Sequence, residues 1–528
     1  MGHPSPRRGP AMTGPLPATG SPGASGCMTA AAITAHLTHA DTATVERFWT
    51  RVRTLGTPVD AAVPLVAPET GAGTDTGSAA GAGPVTDTAA GDTRTADATM
   101  QVTFLWRQER GATCDRVYLR VNRVTDKGRE ALGLMHHIPG TDVWVLTLDL
   151  APTTRLSYGF VPLPPGTEPP AGPPPVVPRH LRPHPDPFNR SRPLIVHREG
   201  IGHSVYRGPL AGPLTEWDDV ATTSTGRVHS TVMRLPGAAH PPGGGHPVFT
   251  PTMREKPLRL LLPAPPTAAV QDAPRPPAPV PLITMFDGEH WFDDLGLPAA
   301  IDAAVTAGRL PAVAVLGVGN ADRADRVGSL GHSADLLRAV ADQAIPWAED
   351  TAAAHGVTLA PPGDRRRIVC GCSLGGLAAL RSVHEAPGTW GGILAQSPSL
   401  WCTPGRPGRP SEPGPGHGET WFTRWILSHP RPPEPRPPSG SRPPEREPQS
   451  GSRQPSEPMP PDGHPLPQVR LAVGLREPHL LPHVHELSLT LEALGWPVDT
   501  RVYDGGHDDA WWRAGVIDGL ESLLRGAS

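Results

Sequence analysis

The residues with the clearest chemical potential are a serine set between glycines, Gly371-Cys372-Ser373-Leu374-Gly375. The segment RRIVCG before it is typical of a buried strand, and LGGLAAL after it is typical of a helix. A serine on such a strand-to-helix turn has an exposed hydroxyl, and the flanking glycines let the neighbouring elements approach closely. The alternative is a glycine-rich turn without chemistry, but the flanking strand and helix favour Ser373 as a nucleophile.

A serine hydroxyl needs a neighbouring base, and the base needs an acid that orients it. His507 in DGGHDDAWWR follows the last predicted strand, as expected when serine, acid and histidine occur in that order. Glu477 directly follows the strand VRLAVG, and geometry favours it because a carboxylate adjacent to a histidine in sequence rarely reaches Nδ1. A surface ion pair with Arg476 is the alternative for Glu477. The rival acids are Asp504, Asp508 and Asp509.

An oxyanion that forms on the substrate needs two backbone N–H donors. We expect one from Leu374, which follows the nucleophile, and one from Gly288, in the loop after the strand PLITMF.

Metal ligation is not predicted. His479, His483 and His485 have helix-like spacing but no HExxH pattern, which is typical of a solvated helix face.

Alternating strand and helix patterns must position these residues. They predict a doubly wound, mostly parallel sheet with helices on both faces over residues 225–528. Together with the turn at Ser373, this order indicates an α/β-hydrolase domain. Residues 403–467 are rich in proline, arginine and serine, so we expect a disordered insert in which only ETWFTRWILS has a helical pattern.

Ahead of this domain the pattern changes to period two. VTFLWR, RVYLRV, TDVWVLTLDL and LSYGF predict an immunoglobulin-like antiparallel β-sandwich over residues 100–200. Helical spacing of apolar residues predicts an N-terminal helix within 34–65. Composition predicts disorder over 1–33 and a flexible linker over 66–99.

Composition agrees with folded parts joined by long linkers. The 528 residues include 59 glycines and 71 prolines, and only 37% are hydrophobic. A net charge of −4 excludes a strongly basic nucleic-acid binder, and five cysteines imply no disulfide framework. The sequence has neither an apolar run of membrane length nor an apolar secretion signal, so we expect a cytoplasmic protein without nucleic-acid or membrane partners.

Several motifs together resemble the enterochelin (enterobactin) esterase family. The matching segments are MFDGEHW (285–291), GCSLGGLAAL (371–380), AQSPSLW (395–401), GLREP (474–478), DGGHDDAWWRAGVIDGL (504–520), and in the front half VTFLWR (102–107), GTDVW (140–144), LSYGF (156–160) and DPFN (186–189). The resemblance implies a serine esterase that hydrolyses the trilactone of a ferric catecholate siderophore. Iron then arrives with the substrate, and no cofactor is implied. The resemblance also implies that Ser373 is the nucleophile, His507 the base and Glu477 the acid.

The substrate that the resemblance implies is strongly anionic, so its site needs cations and flat surfaces. Arg326, which matches a family arginine, and Arg476 are the predicted cations, although a solvated surface is the alternative for Arg326. Trp291 is predicted to stack on a catechol ring, although an indole is equally typical of a core. One departure from the family is Ser329, which stands near a position after Arg326 that is usually acidic.

Two other functions compete with this prediction. The first is an esterase or acyltransferase of the same superfamily that acts on another ester. The second is a siderophore-binding protein without catalysis. A complete set of serine, histidine and acid argues against the second.

Overall fold

A computed structural model of the chain divides into two compact units, which are Met1–Ala112 with His136–Leu150, and Thr113–Met135 with Ala151–Ser528. Of the predicted linker at 66–99, residues 66–98 lie outside the described residues, as do residues 1–25. The structure describes residues 26–65, 99–111, 113–167, 181–196, 200–218, 224–239, 250–264, 278–405, 419–433 and 465–525.

The first unit contains two helices and a four-stranded antiparallel sheet. The helix Thr42–Leu55, α2, buries Val45, Phe48, Trp49 and Val52, which recur at the three- and four-residue spacing of one helix face. The prediction of disorder through residue 33 is wrong at its end, because α1 begins at Ala30. The elements are α1 (Ala30–Leu37), α2 (Thr42–Leu55), β1 (Val59–Asp60), β2 (Met100–Arg107), β4 (His136–His137) and β5 (Val143–Leu150), with strand order β1-β2-β5-β4.

The early start of α1 has a local cause. The Thr29 side chain accepts a hydrogen bond from the backbone N–H of Ala32, so it caps the first turn. Ile33 and Leu37, four residues apart, are both buried. A capped alanine-rich segment with one apolar face is therefore helical despite its Gly- and Pro-rich neighbourhood.

The second unit begins with another four-stranded antiparallel sheet. We call it the front sheet; its strands are β3 (Arg116–Val121), β6 (Arg155–Leu163), β7 (Leu194–Val196) and β8 (Ile201–Arg207), in the order β3-β6-β8-β7. Strand β8 pairs with β6 beyond residue 200, so the predicted boundary at 200 is too early. The strands predicted for 100–200 thus form two sheets that belong to different units. The immunoglobulin-like arrangement of these strands stays a prediction.

The main sheet of the second unit has eight strands. Six are parallel, whereas β10 runs antiparallel to both β12 and β9. The mostly parallel sheet of the prediction is therefore observed, with a long hairpin at one edge. The strands, in sheet order, are β16 (Val498–Tyr503), β15 (Gln468–Gly474), β14 (Gly392–Gln396), β13 (Arg367–Cys372), β11 (Leu282–Phe286), β12 (Ala314–Val318), β10 (Thr250–Leu262) and β9 (Arg227–Ala239).

Helices cover both faces of this sheet. Side chains alternate along β11, so Leu282 and Phe286 enter one hydrophobic core, and Ile283 and Met285 enter another. Among the described helices, none is long and apolar enough to cross a membrane. The helices are α3 (Thr215–Asp218), α4 (Leu297–Thr306), α5 (Arg323–His332), α6 (Ala334–Ala339), α7 (Ile345–Ala354), α8 (Leu374–Glu385), α9 (Trp421–Ser428), α10 (Leu481–Ala493) and α11 (Asp509–Arg525).

The proline-rich insert contains an ordered helix. Helix α9 begins after Thr420, whose side chain accepts a hydrogen bond from the backbone N–H of Thr423. Phe422 and Ile426 lie on one helix face and join a hydrophobic core of the main sheet. The helical pattern at ETWFTRWILS is therefore confirmed, within an insert that was otherwise expected to be disordered. Residues 406–418 and 434–464 of the insert lie outside the described part of the chain.

Candidate active site

Ser373 occupies a strained turn between β13 and α8. Its φ of 58° and ψ of −119° lie in a region that residues with side chains rarely adopt. Its backbone N–H donates to the Gln396 carbonyl at 2.9 Å, and its carbonyl accepts from the Ser399 N–H at 2.9 Å. A Cβ on Gly371 would lie 2.3 Å from the carbonyl carbon of Gly375, so only glycine fits there. The local fold thus fixes the serine where the strand ends.

Three side chains form a hydrogen-bonded series at this turn. Ser373 Oγ lies 3.0 Å from Nε2 of His507, and Nδ1 of the same ring lies 2.5 Å from Oε2 of Glu477. A hydrogen on Nδ1, donated to the carboxylate, leaves Nε2 free to accept the serine proton. The arrangement can therefore deprotonate the hydroxyl.

The second oxygen of the glutamate is also occupied. Glu477 Oε1 accepts from Ser397 Oγ at 2.6 Å and from the Gly474 N–H at 3.0 Å. Glu477 is only 2% exposed, so these donors replace the water that a charged carboxylate would otherwise bind. Because both oxygens accept hydrogen bonds, the carboxyl group is fixed in a single orientation toward His507.

The three rival aspartates have other partners. Asp504 accepts from Arg476 Nε at 3.1 Å, and Asp508 accepts from both the N–H and the Oγ of Ser157. Asp509 lies 3.1 Å from Nε2 of His290. Among the four acids weighed from the sequence, Glu477 is the one that contacts the imidazole of His507.

The site has further neighbours; Ser399 and Asn122 were missed by the sequence analysis, and Trp512 was not predicted as a contact of His507. Ser399 Oγ lies 3.1 Å from Ser373 Oγ, and the Trp512 ring packs edge-on against the imidazole of His507 with centroids 4.8 Å apart. Asn122 Oδ1 accepts from the His507 N–H at 2.9 Å, and its Nδ2 donates to the His507 carbonyl at 3.3 Å. The serine and the tryptophan lie in segments that matched the family. Asn122 is 385 positions from His507, so no local pattern could have indicated it.

The two predicted oxyanion donors lie on adjacent segments. Leu374 is the first residue of α8, where backbone N–H groups have no partner within the helix. Gly288 follows Asp287 at the end of β11, the strand next to β13. A Cβ on Gly375 would lie 3.3 Å from Asp287 Oδ2, so this loop borders the serine turn. The role of both N–H groups stays a prediction.

The two predicted arginines both form ion pairs within the protein. Arg326 binds Asp287 through Nε at 2.7 Å and through Nη2 at 2.8 Å. Arg476 binds Asp504 and also donates to Thr154 Oγ1 at 2.8 Å. Arg326 therefore holds the loop that carries Gly288. A contact of either arginine with substrate stays a prediction.

Trp291 was expected to stack on the substrate, but the structure places it in the hydrophobic core. Its side chain is 1% exposed and packs near Trp217, with ring centroids 6.3 Å apart. The helical turn that begins at His290 directs Trp291 and Phe292 inward against α4. A fully enclosed indole cannot stack on a ligand, so the prediction for Trp291 is wrong.

A cavity of about 200 Å³ lies beside His507. Arg120 in its wall is a cation that the sequence analysis did not single out; its guanidinium lies 3.7 Å from Asp126 and is 40% exposed. Among the residues that the structure describes, no group of three or more His, Cys, Asp or Glu side chains could hold a metal ion. The cavity is lined by Arg120, Asn122, Ser157, Leu194, His203, Leu295, His507, Asp508, Asp509 and Trp512.

A mixed eight-stranded sheet with this serine, histidine and glutamate at its edge defines an esterase on an α/β scaffold. Two family descriptions match the chain, "Enterochelin esterase, N-terminal" over residues 101–217 and "Putative esterase" over residues 261–438. The iron(III) salmochelin esterase of Escherichia coli O6:H1 is 31% identical over 448 residues, which are 81% of this chain and 88% of that protein. The chain belongs to the enterochelin esterase family.

Other relatives agree with this assignment. The iron(III) enterobactin esterase of Escherichia coli K12 is 24% identical over 81% of this chain and 92% of that protein. The enterobactin esterase of Shigella flexneri, solved in the presence of enterobactin, superimposes with a TM-score of 0.60 at 21% identity, covering 82% of this chain and 95% of that one. The ferric enterobactin esterase of Salmonella typhimurium also gives 0.60, at 22% identity and with the same coverage. These structures share the fold of this chain.

Proposed function

We propose that the chain is an α/β-hydrolase that hydrolyses the ester bonds of a ferric catecholate trilactone siderophore in the cytoplasm and so releases iron. The observation that carries this proposal is the series from Ser373 Oγ through His507 to Glu477, with distances of 3.0 and 2.5 Å. The relatives, which are iron(III) salmochelin and enterobactin esterases, supply the substrate class.

In the proposed reaction, Ser373 Oγ attacks a lactone carbonyl while Nε2 of His507 takes its proton. The N–H groups of Leu374 and Gly288 donate to the oxygen that becomes negative. The imidazolium then returns the proton to the departing alcohol oxygen as the C–O bond breaks. Water, deprotonated by Nε2 of His507, then attacks the acyl carbonyl, and the imidazolium returns that proton to Ser373 Oγ as the bond between the acyl group and the serine breaks. Glu477 holds the imidazole through Nδ1 and stabilises the imidazolium.

The charge of the substrate suits the cavity beside His507. A ferric tris-catecholate is an anion, and a guanidinium binds delocalised oxygen donors well. Arg120 lines the cavity, and we assign it, rather than the buried Trp291, to substrate recognition. Iron is cargo of the substrate in this proposal, so the protein needs no resident cofactor and no nucleic-acid or membrane partner.

The test is to incubate the protein with ferric and iron-free enterobactin and to follow linear trimer, dimer and monomer by mass spectrometry. Hydrolysis by the wild type that is lost in Ser373→Ala supports the proposal. Ser382→Ala is a matched control, because Ser382 lies on α8 with its hydroxyl bound to the Ala378 carbonyl. Hydrolysis of p-nitrophenyl esters alone would indicate another ester substrate. Tight binding of the ferric complex without turnover would indicate a binding protein.

A further inference from the structure

The loop that carries His507 is held from one side by the front sheet. This loop, residues 504–508, joins β16 to α11. The Arg155 N–H donates to the Asp504 carbonyl at 2.9 Å. The N–H and Oγ of Ser157 donate to Asp508 Oδ2 at 3.0 and 2.8 Å. These bonds fix both ends of the loop to the strand β6.

At the centre of the loop, Asn122 binds the histidine itself. It follows β3 and makes both of its contacts to the peptide groups of His507, as acceptor from the N–H and as donor to the carbonyl. A Cβ on Gly506 would lie 2.3 Å from Asn122 Oδ1, so the amide packs directly on the loop backbone. The asparagine thus controls where the backbone of His507 lies.

Such control matters because the loop has little stiffness of its own. Gly505 and Gly506 precede the histidine, and glycine has the largest backbone freedom of any residue. The imidazole must nevertheless meet Ser373 Oγ and Glu477 Oε2 at the same time. A displacement of about 1 Å in a catalytic group lowers a rate by about 100-fold.

We propose that Asn122 is a positioning residue for the catalytic base, so that the front sheet is part of the machinery of the reaction as well as a wall of the cavity. The amide fixes the peptide groups of His507, and the imidazole then reaches the serine and the glutamate together. This inference rests on the proposed role of His507 as the base.

The test compares Asn122→Ala with Asn189→Ala, a matched control in the loop that precedes β7 of the front sheet. Asn189 Nδ2 donates to the Val205 carbonyl at 3.0 Å and to the Tyr158 hydroxyl at 2.9 Å, so its loss perturbs the sheet without touching the His507 loop. For Asn122→Ala we expect kcat on ferric enterobactin to fall about 10- to 100-fold with KM within twofold. Thermal unfolding gives the folded fraction of each variant. Per folded molecule, Asn189→Ala should have the wild-type kcat.

Asn122→Asp gives a readout that a merely structural role would not move. A carboxylate keeps the acceptor for the His507 N–H and loses only the donor to the His507 carbonyl. We therefore expect kcat of Asn122→Asp to lie between those of Asn122→Ala and the wild type, with KM unchanged. If Asn122→Ala fails to fold, Asn122→Asp is compared with Asn189→Ala, and an equal kcat in the two overturns the proposal.

Labelling with a fluorophosphonate separates this inference from the proposed substrate. The reagent reports how readily Ser373 is activated by His507, whatever ester the enzyme uses. We expect labelling to be at least about tenfold slower in Asn122→Ala than in Asn189→Ala. Equal rates in the two variants would overturn the inference. A wild type that is labelled but leaves the trilactone intact would overturn only the proposed substrate.

Discussion

Glu477 and His507 are joined by a 2.5 Å contact between Oε2 and Nδ1, although 30 residues separate them in the chain. The glutamate follows β15 and the histidine follows β16, two adjacent parallel strands of the main sheet. Because parallel strands end at the same edge, their C-terminal loops meet there. This relation gives the carboxylate its proposed role, which is to hold the imidazole and to stabilise its charged form.

Replacing Glu477 with glutamine should lower kcat by about 1,000- to 10,000-fold, because an amide that donates to Nδ1 fixes the wrong tautomer. KM should change little, since the carboxylate is buried away from the cavity. Steady-state kinetics on ferric enterobactin measures both. Glu486→Gln on α10 is the matched control, because Glu486 pairs with His483 on the same helix. Equal kcat in the two variants would contradict the assigned role.

Arg120→Gln should raise KM for ferric enterobactin by about tenfold and leave kcat within threefold, because the lost cation lines the cavity and its ion-pair partner is Asp126. The effect should be smaller for a neutral p-nitrophenyl ester and should weaken at high salt. The exposed Arg129 of the same unit provides Arg129→Gln as a control for the change in net charge. A loss of kcat with unchanged KM would argue against substrate recognition by Arg120.

The positions of Ser373, Glu477 and His507 were predictable because each directly follows a strand of a recognisable parallel sheet, and such strand ends converge. Their partners were less predictable. Asn122 reaches His507 across 385 positions from another sheet, and a pattern within one segment carries no information about such a contact. Trp291 was misassigned because an indole suits a core and a binding site equally.

The ordered helix of the insert shows where amino-acid composition fails as a predictor of disorder. Composition averaged over 403–467 is typical of disorder, but eight residues, Trp421–Ser428, have the apolar spacing of an amphipathic helix. A short segment can therefore fold onto an existing core although its surroundings are rich in proline. Local periodicity was the better guide here, because burial of one face stabilises a helix whatever sequence flanks it.

Phe422→Ala should consequently lower the free energy of unfolding by about 3–5 kcal/mol, the usual effect of removing a buried aromatic side chain. The Phe422 side chain is 1% exposed, whereas Leu427 on the same helix is 46% exposed. Leu427→Ala is therefore the matched control, and its effect should stay within about 0.5 kcal/mol. Denaturant-induced unfolding measures both. Equal small effects would mean that this helix does not dock on the core.

The buried carboxyl group of Asp508 makes the free energy of unfolding depend on pH. Burial raises the pKa of this carboxyl from 3.8 to about 6, against the hydrogen bonds from Ser157 that favour its charged form. The folded protein therefore keeps a proton that the unfolded chain releases. The stability that this group contributes is complete below about pH 4 and is lost as the pH rises through about 6.

Asp508→Asn should remove this dependence, because an amide does not titrate. Between pH 4 and 7 the free energy of unfolding of the wild type, relative to that of the variant, should fall by about 2 kcal/mol, because most of the effect of a shift of about two pKa units falls in this range. Denaturant titrations at several pH values provide the comparison. Asp335→Asn is the control, because the Asp335 side chain is 71% exposed. A difference in the free energy of unfolding between wild type and Asp508→Asn that is constant with pH would show that the pKa of Asp508 is the same in the folded and the unfolded chain.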